Sequence, residues 1–83
     1  MVQVVIYTTK ICPYCVKAKR LFASKNISYT EIDVENAVER EKMLAKSHGK
    51  RTVPQIFIND KHIGGCDDLY KLEQEKKLDA MLE

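Results

Sequence analysis

The sequence predicts an α/β fold whose elements run strand, helix, strand, helix, strand, strand, helix, with the last helical stretch dividing in two. Two observations carry the prediction. A β-branched run at residues 2–8 leads into an amphipathic stretch and then a second β-prone run, the order of a right-handed crossover joining two parallel strands. Farther on, Asn59-Asp60 separates two short β-prone segments and is suited to turn one back on the other as an antiparallel hairpin. A third observation bounds the size. The 83 residues contain no linker, repeat or low-complexity segment, so a single domain over residues 1–83 is expected. A chain of this length buries only about 60% of its unfolded surface.

Taken in order, Val4-Val5-Ile6-Tyr7 lacks alternation, which suits a central strand covered on both faces. From Pro13 to about residue 24, Tyr14, Ala18, Leu21 and Phe22 recur at helical spacing, with Lys17, Lys19, Arg20 and Lys25 largely elsewhere. Pro13 fits the first helical position, where no backbone N–H is needed. Residues 27–34 read as the second strand. Asn36 followed by Glu39 resembles a capping box, and Gly49 is a suitable stop, so a helix is expected over residues 37–48. Val38, Met43 and Leu44 are its inward candidates, and His48 sits where a cation complements the helix dipole. Residues 55–59 and 61–63 form the hairpin, with His62 on its surface, and Gly64-Gly65 breaks the strand. Asp67 and Asp68 open the last helical region, in which Leu69, Leu72, Leu78, Met81 and Leu82 supply apolar contacts.

Composition excludes several classes of function. A content of 45% hydrophobic and 31% charged residues is that of a globular protein, and a net charge of +2 is too small to argue for nucleic acid or a membrane surface. No apolar run approaches membrane-spanning length. Lys10 cuts the apolar start short, and no positive leader or small-residue cleavage site frames it, so no secretory signal is expected. Three cysteines cannot all pair within one chain, and a secreted disulfide scaffold of this size normally carries more, which points to the reducing cytoplasm.

The chemistry concentrates at Cys12-Pro13-Tyr14-Cys15. With Cys12 at the N-cap and Pro13 at the first helical position, Cys15 falls one turn on, on the same face, so the two sulfurs can reach disulfide geometry. The unpaired amides and partial positive charge of a helix start favour thiolate over thiol, which makes Cys12 the candidate nucleophile. A zinc site built from Cys12, Cys15, His62 and Cys66 is the competing reading. The preceding strand and Pro13 favour redox chemistry, because structural zinc pairs usually sit on turns. Two distant stretches can complete a site. Pro54 at a strand entry, preceded by Thr52-Val53, leaves the Val53 backbone able to pair with an extended peptide. Gly64-Gly65-Cys66-Asp67-Asp68 makes an amide-rich corner for a carboxylate, with acids for an ammonium. Cys66 reads as a small buried hydrophobe before it reads as a third reactive thiol.

These three motifs, in this order and over nearly the whole chain, resemble the glutaredoxins, and most closely the small bacterial dithiol members. The resemblance implies a thioredoxin-like fold with a four-stranded mixed sheet, a cis bond before Pro54, and glutathione as both ligand and reductant, with no metal. It implies Cys12 as nucleophile, Cys15 as resolving thiol and Tyr14 as a wall against the glutathione sulfur. Val53 would pair with the tripeptide backbone, Thr52 and Pro54 beside it would also contact glutathione, and Lys10 and Arg51 would meet the glycine carboxylate. Gly65, Cys66, Asp67 and Asp68 would hold the γ-glutamyl end. The signs agree with the ligand, which carries two carboxylates and one ammonium. Implied partners are disulfide-bearing or glutathionylated proteins, ribonucleotide reductase being one that the family serves, and a monomer is expected. A thioredoxin drawing electrons directly from a reductase is the nearest alternative in chemistry. An iron-sulfur carrier is another, although Pro13-Tyr14 is unlike the Gly-Phe pair and terminal Ser of the monothiol carriers.

Overall fold

The computed structural model describes residues 2–83. Strand β1 (Val4–Thr8) lies between β2 (Thr30–Asp33) and β3 (Gln55–Ile58), and β4 (Lys61–Gly64) forms the far edge. β1 pairs parallel with β2 and antiparallel with β3, so the four-stranded sheet is mixed, in the order β2-β1-β3-β4. Helices α1 (Pro13–Ser24), α2 (Ala37–Lys46), α3 (Cys66–Gln74) and the short α4 (Leu78–Met81) complete the expected element order.

The unpatterned apolar run of β1 is explained by its two covered faces. Val4 and Ile6 join Ala18, Leu21 and Phe22 of α1, Ile56 and Ile58 of β3, Leu69 of α3 and Leu78 of α4 in one core. Tyr7, on the opposite face, packs with Val34, Met43 of α2 and Phe57. Phe22, Ile6, Ile56, Leu69 and Leu78 are wholly buried, and each such side chain contributes about 1.5–3 kcal/mol. Lys19 and Thr8 both reach one carboxylate oxygen of Glu31, at 2.9 and 2.7 Å, joining α1 and β1 to β2. Those contacts, Lys19 first, hold the Glu31 carboxyl below its ordinary range.

Several expectations shift. The second strand begins at Thr30 rather than residue 27, because α1 closes in a Schellman motif. Asn26 takes a φ of 58°, and the Ile27 amide donates to the Phe22 carbonyl, which consumes the start of the expected strand. Tyr14, expected in the buried stripe of α1, is 61% exposed, and Cys15 takes the buried place. Val38 is 63% exposed instead of facing inward. Asn36 Oδ1 caps α2 by accepting from the Val38 and Glu39 amides, and this fixes Val38 on the open first turn. The Asn59-Asp60 hairpin turn forms with both residues at positive φ, 49° and 67°. A bulge between Ile56 and Phe57 then shifts the register of β4.

Gly64 ends β4 at a φ of +118°, and a Cβ there would collide with the Asp68 side chain. Gly49 also has a positive φ, +83°, but nothing lies within 4 Å of the place its Cβ would occupy. Gly49→Ala should therefore cost about 1 kcal/mol in urea unfolding, whereas Gly64→Ala should cost about 3 kcal/mol. Equal losses would show that backbone conformation alone, not the approach of Asp68, requires glycine at position 64.

Candidate active site

β1 ends at Thr8, and four residues later Cys12 caps α1. Its extended backbone (φ −151°, ψ 98°) turns Sγ over the helix start, where it accepts the Cys15 amide N–H at 3.1 Å. Pro13 occupies the first turn without wasting a donor, and no acidic side chain lies in that turn to oppose negative charge on sulfur. The two cysteines are joined as a disulfide with Cα atoms 5.2 Å apart. Cys15 is 1% exposed, whereas Cys12 keeps partial access to solvent. An external sulfur can therefore meet only Cys12.

The Val53 carbonyl oxygen stands 3.8 Å from Cys12 Sγ, and the Val53-Pro54 bond is cis, as the resemblance implied. Gln55 braces this loop. Its Nε2 donates to the Thr52 carbonyl at 2.9 Å and to Thr52 Oγ1 at 3.1 Å, which leaves Oε1 to accept from His62 Nε2 at 2.7 Å. His62 is thus not a plain surface residue. It is half-buried, with its ring 5.0 Å from Phe57 and 5.9 Å from His48. Burial, then the charges of His48 and Lys50, push its pKa below the ordinary histidine value.

A groove of about 320 Å³ runs from Tyr14 and Val53, whose carbonyl faces Cys12 Sγ, to the start of α3. Tyr14, Thr52, Val53, Pro54, Gly65, Cys66, Asp67 and Asp68 line it, so most of the sequence-predicted residues come together. Two lining residues, Lys50 and Gln55, were not anticipated. Lys10 stands elsewhere, in a separate hollow with Thr8, Thr9, Glu31 and Asp33, and Arg51 is exposed outside the groove lining. The cation that borders the groove is Lys50, one residue from Arg51. At the other end Asp68 Oδ2 accepts the Gly65 N–H at 3.0 Å, closing half of a capping box on α3. Cys66 opens that helix but is buried in the core, and burial pushes its thiol pKa up. Among the described residues no three His, Cys, Asp or Glu side chains gather as a metal-binding group.

A helix-capping thiol paired with a buried second thiol one turn on, on this α/β sheet, defines a thiol-disulfide oxidoreductase of thioredoxin-like fold. The family model for glutaredoxins matches residues 4–63. Glutaredoxin 1 of Rickettsia prowazekii is 56% identical over 82 residues, covering 96% of this chain and 86% of its own. Glutaredoxin 3 of Escherichia coli K12 is 51% identical over 84 residues, covering all of both chains. A buckwheat glutaredoxin solved as a glutathione complex superposes with a TM-score of 0.88 at 33% identity, over 98% of this chain and 76% of the other. The chain belongs to the glutaredoxin family, and so is a glutathione-dependent thiol-disulfide oxidoreductase.

The depressed pKa of His62 sets a pH dependence of stability. The unfolded chain takes up the His62 proton near pH 6.5 and the folded chain only lower, so stability is fully present above that pH and falls as pH drops through it. Urea midpoints for the wild-type protein should decline between about pH 7 and pH 5, a window above most carboxylate titrations. His62→Gln should flatten that decline. An unchanged slope in the variant would assign it to other groups.

Proposed function

We propose that Cys12 is the nucleophile, Cys15 the resolving thiol, and the groove between Tyr14 and Asp68 the seat of glutathione. The observation that carries this reading is the unequal exposure of the bonded pair, Cys12 partly open to solvent beside the Val53 carbonyl and Cys15 only 1% exposed. In the reduced protein, Cys12 thiolate attacks one sulfur of a glutathione mixed disulfide. The other sulfur leaves as a thiolate and takes a proton from water. A second glutathione then attacks the glutathione sulfur held on Cys12, forming oxidised glutathione and returning Cys12 thiolate. With a protein disulfide, Cys15 instead attacks Cys12 Sγ and expels the protein reduced by two electrons. Two glutathione molecules restore the dithiol.

The groove suits the tripeptide in sign and shape. Lys50 offers a cation for one carboxylate, while the N-terminus of α3, with Asp67 and Asp68, offers amide donors and acids for the γ-glutamyl end. Val53 supplies backbone groups for an extended peptide, and Tyr14 walls the sulfur end. Lys10 and Arg51 act at longer range, as charge near the site. We further propose a single domain over residues 1–83, a monomer that works in the cytoplasm. A continuous core running from Val4 to Leu82 supports the first of these. No helix among the described residues is long and apolar enough to cross a membrane. Disulfide-bearing and glutathionylated proteins are the oxidised partners, a class to which ribonucleotide reductase belongs and within which the groove selects no member.

Cys12→Ser should abolish both activities. Cys15→Ser should retain removal of glutathione from mixed disulfides and lose most reduction of protein disulfides, because a neighbouring thiol acts at an effective concentration that dilute glutathione cannot match. Equal loss of both activities in the Cys15 variant would rule out this division of labour.

A further inference from the structure

We propose that Ile11, Val16 and Arg20 form a docking strip for the polypeptide chain of disulfide substrates. The strip selects segments with an apolar residue next to the reacting cysteine and an acidic residue about one turn's length beyond. This rests on the reading of Cys12 as nucleophile and extends it to substrate choice.

Ile11 immediately precedes the N-cap of α1 and Val16 is its fourth helical residue. At this spacing two apolar side chains commonly clasp across a helix start. Here the clasp is open, with Ile11 93% exposed and Val16 40% exposed. Scattered single apolar residues on a surface need no explanation, but three of the four large ones exposed among the described residues, Ile11, Tyr14 and Val16, lie within four residues of Cys12. Arg20 follows Val16 by one helical turn and so shares its side of α1. It is exposed and makes no ion pair among the described residues, whereas Lys17 lies over the Tyr70 ring and Lys19 binds Glu31. The strip is therefore apolar beside the nucleophile and cationic one turn farther on.

The reaction itself brings a polypeptide to this place. When Cys12 thiolate displaces one sulfur of a protein disulfide, that sulfur leaves as a thiolate and takes a proton from water. The other remains bonded to Cys12 until Cys15 displaces it. While that bond lasts, the residues adjoining the substrate cysteine lie against whatever borders Cys12. None of the three strip residues lines the groove. A small glutathione mixed disulfide can occupy the groove without them, but a longer chain extends past it.

The test uses synthetic peptides with an internal disulfide, carrying Leu or Gly beside the reacting cysteine and Asp or Asn four residues away. A mixed disulfide of glutathione with a small thiol serves as control. Wild-type protein should show a kcat/KM about tenfold higher for the Leu peptide than for the Gly peptide. Ile11→Ser should erase most of that preference while turning over the small mixed disulfide at the wild-type rate. Arg20→Glu should lower kcat/KM for the Asp peptide alone, an effect that fades as salt rises. Equal wild-type rates on Leu and Gly peptides would overturn the proposal. So would an Ile11→Ser variant that keeps the preference, or one whose only change is loss of self-association in sedimentation. Failure of the wild-type protein on every disulfide, the small one included, would instead overturn the reading of Cys12.

Discussion

The hydrogen bond from the Cys15 amide to Cys12 Sγ is the contact around which the site is arranged, and it exists because a sulfur occupies an N-cap. An N-cap side chain ordinarily uses oxygen to satisfy a helix-start donor. Here the donor meets sulfur at the end of the central strand, where open α/β sheets place their reactive turns. The position follows from packing. β1 is covered on both faces and cannot shift without emptying two cores, and Ala18, Leu21 and Phe22 fix the rotation of α1 against it. With α1 fixed, Cys15 must face the core and Cys12 must face out.

The value of this contact lies in turnover more than in attack. A thiol of pKa about 8.5 is only about 3% thiolate at pH 7, so a fall to about 5 raises that fraction by about 1.5 log units. With a Brønsted slope near 0.45, the same fall of about 3.5 units removes about 1.6 log units of nucleophilicity per thiolate. The terms nearly cancel for attack. A stabilised Cys12 thiolate still leaves faster when glutathione resolves the mixed disulfide, and it stays ionised in acid. The buried Cys66 shows the opposite environment, since it too opens a helix yet burial raises its pKa.

The helix start at Pro13, the crossover to a parallel β2 and the Asn59-Asp60 hairpin could be read in the sequence, because each rests on a local residue preference. The thiol pair was legible for the same reason. What was not legible depended on facing. α2 has one buried hydrophobic residue, Met43, and so sparse a stripe does not fix whether Val38 points in or out. Gln55 and His62 look like surface polar residues, and only their mutual bond and the Thr52 contacts show why they are sheltered. In the loop before β3 no periodicity distinguishes Lys50 from Arg51, and the structure turns Lys50 to the groove. The cis bond at Pro54 came from the family likeness, since composition does not encode the isomer.

The most direct test of the central claim is the pH profile of Cys12 alkylation by iodoacetamide in the reduced protein, with the modified residue identified by mass spectrometry. The helix-start amide and the absence of acids in the first turn predict a midpoint well below the free-thiol value of about 8.5. Cys15 should be modified far more slowly. A midpoint at about 8.5, or faster modification of Cys15 than of Cys12, would contradict the account.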